Sequence, residues 1–383
     1  MLYTSYIEIS ESALAHNLDF IRTFIGDSVQ FSSVVKGNAY GHGIEVIVPL
    51  EEKYGQRHFS VFSADEAFRV KEASQAGSTI LIMGMLDNYQ LEWAIENEIE
   101  FFVFNKHRLD HALQFARKIG KKALVHLEAE TGMNRTGFQK NELAEAGKLL
   151  QENPDAIQFR ALCTHYAGAE SIANYYRIQQ QKKRFKSALK QLDRMGLKPD
   201  ILHTACSAAS LRYPETQLDL VRIGILQYGF FPSKEILVDY LIKNKETVTP
   251  IERIISWKSV VMDIKRVKTG EFIGYGTSYF ANSDLDVAII PVGYSHGFSR
   301  SLSNLGRVLI RGQVAPVVGT VNMNMISVDI SNSGGVQIGD EVVLVGRQGE
   351  LEVTVASFSD MSHQINYELL TRLPQNLPRR VIE

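Results

Sequence analysis

Short apolar runs and longer amphipathic stretches alternate over the first part of the chain. Apolar runs that contain β-branched residues and are bounded by polar turns are typical of buried strands. Stretches such as Ala64–Ala76 and Leu109–Ile119 carry apolar residues at helical spacing and charges on the opposite face, which predicts helices. The pattern predicts eight strands, at Ser32–Val35, His58–Phe62, Thr79–Met83, Glu100–Phe104, Ala123–Leu127, Gln158–Cys163, Ile201–Thr204 and Leu220–Ile223.

The alternation of strand and helix predicts the architecture of this first part. Helices between successive strands imply a parallel sheet, and eight such units imply a closed (β/α)₈ barrel. Four polar residues follow predicted strands: Lys36, Arg135, His165 and Ser207. Barrels of this type carry their active sites at the carboxyl ends of the strands, so we expect these four side chains at one face.

The last part of the chain has a different pattern, with strand-like runs, glycine-rich turns and one helical stretch at Val355–Ile365. It predicts a mostly-β C-terminal domain at residues 244–383, after a barrel at residues 1–243. About 140 residues are too many for decoration of the barrel. The opening strand, Ser5–Ile9, precedes the first helix, and we expect it to pair with the second domain. The further predicted strands are Ile251–Ile264, Asp286–Val292, Gly306–Ile310, Val314–Val318, Met325–Ile330 and Glu341–Val345.

Composition narrows the class of protein. Hydrophobic residues make up 45% of the chain and charged residues 22%, as in ordinary soluble proteins. The net charge of −2 favours neither nucleic acid nor an anionic membrane as a partner. No signal peptide and no membrane span are expected from the sequence. Cys163 and Cys206 lie in apolar stretches and are expected as buried thiols, which favours the cytoplasm.

The most informative residue is Lys36, which stands between the apolar Val34–Val35 and a turn with three glycines. One interpretation is a surface lysine whose stem lies along the strand end. The other is an amine whose pKa is lowered by partial burial, so that it is nucleophilic towards an aldehyde. Tyr40 and His42 on the same loop suit a phosphate or ring-binding site, which favours the second interpretation.

The segment Val-Val-Lys-Gly-Asn-Ala-Tyr-Gly-His-Gly at residues 34–43 resembles the pyridoxal-phosphate lysine motif of the alanine racemases. The resemblance extends in matching order from about Ile7 to Pro378 and implies pyridoxal 5′-phosphate as the cofactor. It places Lys36 in the Schiff-base position and as one of two catalytic bases. It also implies that the Tyr40 hydroxyl binds the cofactor phosphate.

Two further motifs of the barrel match the family. In Thr-Gly-Met-Asn-Arg, Arg135 matches an arginine that contacts the cofactor phenolate and the substrate carboxylate, which suits a guanidinium fork. His165 matches a supporting histidine that bridges a tyrosine to an arginine under the ring. Glu128 stands where many members carry a lysine that becomes carbamylated. We therefore expect the Glu128 carboxylate to orient Arg135 through a charge-assisted hydrogen bond.

The resemblance also assigns the phosphate site. The Ser207 hydroxyl and the backbone N–H groups of Gly224 and Ile225 match positions that cradle the phosphate, and amides converging at a turn suit a dianion. Tyr367 matches a second tyrosine whose hydroxyl binds this phosphate. Arg222 matches the arginine that hydrogen-bonds the pyridine nitrogen. Because an arginine keeps its proton at ordinary pH, it leaves that nitrogen unprotonated, which favours reversible proton transfer at Cα.

In the second domain, Tyr275 matches the base on the face opposite the lysine, and racemisation needs a proton acceptor on each face. Met323 matches a position whose backbone N–H contacts the substrate carboxylate. Three residues depart from the family pattern: His296 and Asn324 replace acidic residues, and Asn322 replaces the usual cysteine. These departures leave the identity of the amino acid open.

The sequence therefore predicts a pyridoxal-phosphate-dependent racemase that interconverts L-alanine and D-alanine, as a homodimer with shared active sites and without a metal. The alternative within the class is a racemase for another or several amino acids. A decarboxylase on a similar barrel is less favoured, since such enzymes use a cysteine of the second domain and none follows Cys206. A non-catalytic cofactor-binding protein would be a barrel alone.

Overall fold

The structure is a computed structural model, which describes residues 3–355 and 366–383. The chain divides into two compact units. The barrel unit comprises Ala13–Ala39 and Ile47–Arg253, and the β unit comprises the described residues within Met1–Ser12, Tyr40–Val46 and Ile254–Glu383. The domain limits at residues 243 and 244 stay a prediction from the sequence.

The barrel unit contains eight parallel strands. The first strand of the chain, β1 (Tyr6–Ser10), belongs to the β unit, and the next eight form one sheet in the order β8-β7-β6-β5-β4-β3-β2-β9. A backbone hydrogen bond of 3.1 Å from Asp219 to Leu202 and a parallel bridge between Cys206 and Arg222 join the ends of this order and close the barrel. The predicted fold class and all eight predicted strands are confirmed. The bounds are β2 (Gln30–Val34), β3 (His58–Val61), β4 (Thr79–Ile82), β5 (Glu100–Val103), β6 (Ala123–Glu128), β7 (Ile157–Cys163), β8 (Ile201–His203) and β9 (Leu220–Ile223).

Helices follow the barrel strands, and several of them are fixed by local capping. Asp87 and Gln90 form a capping box with backbone N–H bonds of 2.8 and 3.0 Å, and Gly120 ends a helix at φ 74°. Within the described residues, no helix is long and apolar enough to cross a membrane. The right-handed helices are α1 (Glu11–Ile25), α2 (Ile44–Lys53), α3 (Ala64–Ala73), α4 (Asn88–Glu96), α5 (Lys106–Ile119), α6 (Lys140–Glu152), α7 (Tyr175–Arg194), α8 (Ser207–Arg212), α9 (Lys234–Asn244) and α10 (Asn366–Thr371).

The β unit contains two sheets. The larger has the order β14-β13-β16-β10-β1-β18, with β17 paired to β16, and the smaller has the order β11-β12-β15. Strand β1 pairs antiparallel with β10 and parallel with β18, so the expected pairing of the opening strand with this part of the chain is confirmed. The bounds are β10 (Ile255–Val260), β11 (Asp263–Val267), β12 (Leu285–Ile290), β13 (Arg307–Ile310), β14 (Gln313–Pro316), β15 (Ile326–Asp329), β16 (Glu341–Gln348), β17 (Leu351–Val353) and β18 (Arg379–Ile382).

Parts of the second-domain prediction need correction. The predicted single strand Ile251–Ile264 is two strands, β10 and β11, which join different sheets on either side of Val261 and Met262. An uninterrupted apolar pattern does not show where a strand changes sheets. The pattern also failed to predict the short edge strands β17 and β18. Nearly all of the predicted helix Val355–Ile365 lies outside the described residues.

A buried acid on α2 gives the barrel unit a pH-dependent stability. Glu51 is fully buried, and burial raises the pKa of its carboxyl from 4.5 to about 8. The folded protein therefore keeps a proton that the unfolded chain releases above about pH 4.5. Because the folded-state pKa is raised, this contribution to stability is complete below pH 4.5 and is lost as the pH rises to about 8.

We expect Glu51→Gln to abolish this dependence, because the amide is neutral at every pH. The variant's free energy of unfolding should be close to that of the wild type near pH 5 and exceed it at pH 8.5 by on the order of 4 kcal/mol, since each pKa unit corresponds to about 1.4 kcal/mol. The control is Glu72→Gln, which removes an exposed carboxylate from α3. Equal shifts of Glu51→Gln at both pH values would contradict a neutral buried carboxyl.

Candidate active site

A left-handed turn follows Lys36 at the carboxyl end of β2. Gly37, Asn38, Ala39 and Tyr40 have φ angles of 63°, 56°, 53° and 52°. Each non-glycine residue in this conformation costs about 1–2 kcal/mol, so surrounding contacts must hold the turn. The strain is local to the segment that carries Lys36, and such strain is typical of functional sites.

Glu66 on α3 supplies those contacts within the barrel unit. Its carboxylate is 8% exposed and accepts backbone N–H bonds from Gly37 at 2.6 Å, from Asn38 at 3.3 Å and from Phe62 at 3.0 Å. Arg69, one turn further along α3, donates to the Asn38 amide oxygen at 2.5 Å. The start of α3 therefore holds the turn and fixes the direction in which the Lys36 side chain leaves β2.

We expect Glu66→Gln to destabilise the protein by about 1–3 kcal/mol, because an amide nitrogen would face backbone N–H donors that a carboxylate satisfies. Thermal unfolding at pH 7.5 measures the effect. The control is Asp65→Asn, which removes the neighbouring exposed carboxylate on the same helix turn. A Glu66→Gln variant as stable as this control would show that the turn does not depend on Glu66.

The electrostatic environment of Lys36 favours its neutral amine. Its side chain is reached by solvent, but protein atoms surround it on most sides. Burial lowers the pKa of the amine, and Arg135 and Arg222 lower it further, while Glu66 opposes the shift. The interpretation of Lys36 as an activated amine is therefore physically consistent with its surroundings.

His165 lies in the same group of side chains. Burial lowers its pKa to about 3, and the charges of Arg222, Arg135 and Lys36 add to the shift. The imidazole is neutral at physiological pH, so it lies beside these cations without adding charge. The barrel unit therefore brings Lys36, Arg135, His165 and Arg222 into one cluster at the carboxyl ends of the strands.

The expected hydrogen bond from the Arg135 guanidinium to the Glu128 carboxylate is not formed. Among the described residues, Arg135 has no hydrogen bond or ion pair, and its side chain is exposed. Burial raises the pKa of the Glu128 carboxyl, and a hydrogen bond from Thr136 opposes the shift. Glutamate is shorter than a carbamylated lysine, so the carboxylate binds the neighbouring Thr136 and acts on Arg135 through space.

The residues expected to cradle a phosphate, Ser207, Gly224 and Ile225, lie at two neighbouring turn starts of the barrel unit. Ser207 begins α8, and its hydroxyl oxygen accepts the Gly224 N–H at 3.0 Å, so the hydroxyl can still donate while this N–H is engaged within the chain. Ile225 begins a 3₁₀ turn at Ile225–Tyr228, where the first N–H groups have no acceptor within the turn. A hydroxyl and amide donors at two turn starts suit a phosphate dianion.

In the β unit, two of the expected phosphate ligands meet. The rings of Tyr40 and Tyr367 lie 5.9 Å apart, so residues distant in sequence present two hydroxyl-bearing rings together. Gly41 makes this approach possible, because at φ 83° a Cβ there would collide with the carbonyl oxygen of Leu370 on α10. The glycine after Tyr40 therefore has a steric reason as well as a conformational one.

Three separate segments of the β unit lie side by side and carry the other expected residues. The Thr320 hydroxyl bonds the backbone oxygen of Tyr275 at 3.4 Å, and the amide of Ser295 bonds the backbone oxygen of Met323 at 3.0 Å. Tyr275 is 76% exposed and Met323 is 56% exposed. The side chains of Tyr275 and Met323 are therefore open to solvent in this structure.

Two of the residues that depart from the family pattern, Asn324 and His296, hydrogen-bond to neighbouring residues of the same surface. The Asn324 amide donates to the Ser295 hydroxyl at 3.0 Å, and Nδ1 of His296 accepts the Gly293 N–H at 3.2 Å. Burial lowers the pKa of His296. A neutral amide and a neutral imidazole replace acidic groups here, so this surface carries less negative charge than the family pattern implies.

Sequence reasoning missed Glu66 and a set of buried polar side chains around Arg222. The strand residues Glu100, His126 and His203 are each at most 2% exposed and hydrogen-bond one another inside the barrel. The available signal was a polar residue inside each of three otherwise apolar strands. Those residues are far apart in sequence, so only the closed barrel shows that they meet.

The alanine racemase N-terminal domain family matches residues 9–232, and the alanine racemase C-terminal domain family matches residues 254–381. The alanine racemase of Leptospira interrogans serogroup Icterohaemorrhagiae serovar copenhageni is 31% identical over 382 residues, covering 100% of this chain and 96% of that protein. Alanine racemase 1 of Caldanaerobacter subterraneus subsp. tengcongensis is 32% identical over 373 residues, covering 97% and 93%.

Solved structures are similar over the same length. The alanine racemase of Clostridium difficile 630 superposes with a TM-score of 0.90 at 31% identity, covering 100% of this chain and 96% of that one. The alanine racemase of Bacillus anthracis with bound L-Ala-P gives a TM-score of 0.91 at 30% identity, with the same coverage.

Proposed function

The chain belongs to the alanine racemase family, and on this premise we propose that it interconverts L-alanine and D-alanine with pyridoxal 5′-phosphate as cofactor. One observation carries the proposal: a lysine of lowered pKa on a strained turn at the carboxyl end of a barrel strand. The same cluster holds two arginines and a neutral histidine, which suit an anionic substrate and an aromatic cofactor.

The residues of the cluster fit this cofactor chemically. Lys36 has an amine suited to an aldehyde. The Ser207 hydroxyl and the Ile225 N–H suit a phosphate, whereas the Gly224 N–H would have to leave the Ser207 hydroxyl to bind it. When bound, the cofactor supplies an electron sink that acidifies the Cα proton of the amino acid. Arg222 is the residue that would face the ring nitrogen, and because an arginine keeps its proton at ordinary pH it would donate a hydrogen bond there without protonating it.

Two bases of this chain then exchange the Cα proton. We assign one face to the Lys36 amine and the other to the Tyr275 hydroxyl, because a racemase must both remove and return a proton on each face. Arg135 has an exposed, unpaired guanidinium fork for the substrate carboxylate, and the backbone N–H of Met323 is assigned to the same carboxylate. His165 and the Tyr40–Tyr367 pair support the cofactor.

The assembly that we propose is a homodimer with shared active sites in the cytoplasm. Tyr275 is 76% exposed to solvent, and a second copy of the chain in a dimer would bury its side chain. Phe272, Phe280 and Tyr294 add exposed aromatic surface in the same unit, at 51%, 47% and 42%. Both cysteines, Cys163 and Cys206, are free, which suits a reducing compartment.

A chiral assay of the purified protein, supplemented with pyridoxal 5′-phosphate, tests the proposal against all twenty L-amino acids. We expect D-alanine from L-alanine at the highest rate. A different preferred amino acid would support the second candidate, a racemase of other specificity, which the neutral groups at Asn324 and His296 favour. No chiral inversion of any amino acid would refute both candidates.

A further inference from the structure

A chain of hydrogen-bonded side chains runs through the inside of the barrel from Arg222 to Arg160. Nη1 of Arg222 bonds Nδ1 of His203, Nε2 of His203 lies 2.9 Å from Nδ1 of His126, and Nε2 of His126 lies 2.9 Å from Oε2 of Glu100. The other Glu100 oxygen accepts from Nε of Arg160 at 2.8 Å. We call these five residues the relay.

The relay lies within the barrel. His126 is on β6 and His203 is on β8, and β7 separates these strands in the sheet, so their side chains can meet only across the interior. Exposure is 0% for both histidines, 2% for Glu100 and 4% for Arg222. Arg160 is partly exposed and reaches Asp200 at 2.8 Å, so the relay meets solvent at that end.

The chemistry of the end groups fixes every proton in the relay. An arginine can only donate and a carboxylate can only accept, whereas a neutral imidazole has one donor and one acceptor. Nδ1 of His203 must accept from Arg222, so its Nε2 carries the proton and donates to His126. Nδ1 of His126 then accepts, and its Nε2–H donates to Glu100.

The charges of the relay agree with this assignment. Burial lowers the pKa of His203 well below its ordinary value, and the Arg222 charge adds to the shift. Burial also lowers the pKa of His126, although its hydrogen bond to Glu100 opposes the shift. For Glu100, burial favours the neutral acid, but the hydrogen bond from His126 and the nearby His58 ring, whose Nε2 lies 3.5 Å from Oε2, outweigh it and the pKa is lowered. Glu100 is thus an anion that accepts from the neutral His126 ring, which in turn accepts from the neutral His203 ring.

Arg222 is held by neutral acceptors alone. Besides His203, its Nη2 donates to the backbone oxygen of Thr164 at 2.9 Å. In the described part of the chain, no carboxylate lies within ion-pair distance of Arg222. The nearest anion of the relay is two imidazole rings away, and Glu128 acts on Arg222 only through space, so neutral acceptors alone fix the orientation of the guanidinium.

From this geometry we infer that Glu100 is a positioning residue of the candidate active site, acting on Arg222 through His126 and His203. The effect on catalysis rests on the proposed function, whereas the hydrogen bonds of the relay do not. Because Glu100 can only accept, it keeps both histidines in the Nε2–H form, and His203 always presents a lone pair to Arg222. Glutamine at this position can also donate, which allows both histidines to change to the Nδ1–H form. In that form the Nδ1–H of His203 would face an N–H of Arg222, and the hydrogen bond between the two would be lost.

The first test reads the tautomers directly in the wild-type protein with cofactor bound. Histidines labelled with ¹⁵N distinguish Nδ1–H from Nε2–H by nitrogen shifts, and the signals are assigned by their loss in His126→Gln and His203→Gln. We expect Nε2–H for both residues, without titration between about pH 6 and 9. An Nδ1–H signal or a charged ring at His203 would overturn the proposal, whatever the fate of any variant.

The second test compares Glu100→Gln with Glu51→Gln, which makes the same change at another fully buried glutamate outside the relay. For Glu100→Gln we expect an added Nδ1–H population at His203, a shifted visible absorption maximum of the bound cofactor, and kcat lower by on the order of tenfold. KM should change less than about twofold, because Arg222 does not bind the amino acid. Glu51→Gln should leave all four quantities unchanged.

The outcomes separate this inference from the proposed function. Unchanged tautomers and absorption in a folded Glu100→Gln variant would refute the role of Glu100, even if the wild type racemises alanine. The expected tautomers in a wild-type protein that inverts no amino acid would leave the relay intact and refute the proposed function. Glu100→Asp, which can also only accept, should restore the Nε2–H signals in part if the relay acts as inferred.

Discussion

Lys36→Ala should reduce racemisation by roughly 10⁴-fold or more, because the substitution removes both the amine that holds the cofactor and one of the two bases. Burial and the charges of Arg135 and Arg222 lower the pKa of this amine, so it is suited to both tasks. Visible absorption of the purified protein should also be lost. Borohydride treatment of the wild type should fix the pyridoxyl group on the peptide that contains Lys36.

The control for this prediction is Lys118→Ala, which removes a lysine with 62% side-chain exposure from α5. The substitution removes a surface ion pair with Glu92, which contributes about 0–1 kcal/mol, and a contact of the ammonium with the Phe115 ring. Activity, absorption and labelling should all match the wild type. A pyridoxyl group on any lysine other than Lys36 would refute the assignment.

The sequence predicts the barrel well because its signals are local. Each barrel strand is a short apolar run between turns, and such runs can be recognised without knowing which strands pair. The motif around Lys36 is also contiguous, so its residues could be assigned from the sequence. The β unit was harder, because Val261 and Met262 lie inside an apolar run where the chain passes from one sheet to the other.

What the sequence did not predict depends on pairings between distant residues. Glycines predicted a turn after Lys36, but not that Asn38 and Ala39 would be left-handed, since Glu66 on the next helix stabilises that form. The relay needs His126 and His203, which are brought together only when the barrel closes. Such contacts have no signature in a single segment.

The second large effect concerns Tyr275, the proposed base on the face opposite Lys36. Tyr275→Phe should lower racemisation in both directions by roughly 10²–10⁴-fold, because the phenyl ring has no proton to exchange. The visible absorption should remain. Exchange of the Cα proton with deuterium should slow more from L-alanine than from D-alanine, and equal slowing from both isomers would contradict the two-base assignment.

Tyr279→Phe is a matched control within the same loop. Its ring packs against the core cluster of Ile273, Ala281 and Leu285, whereas Tyr275 is 76% exposed. The loss of the Tyr279 hydroxyl should therefore leave racemisation close to that of the wild type. If both variants lost activity equally, the loop as a whole, and not the Tyr275 hydroxyl, would be required.

The exposure of Tyr275 leads to a test of the proposed dimer. If one copy supplies Lys36 and the other supplies Tyr275, a heterodimer of Lys36→Ala and Tyr275→Ala chains contains one intact site and one doubly defective site. Mixing the two inactive proteins should then restore activity, up to about a quarter of the wild-type rate, because random exchange puts half of the dimers in the mixed form. Differently tagged chains allow subunit exchange to be measured independently. No recovery after confirmed exchange would require Lys36 and Tyr275 to act within one chain.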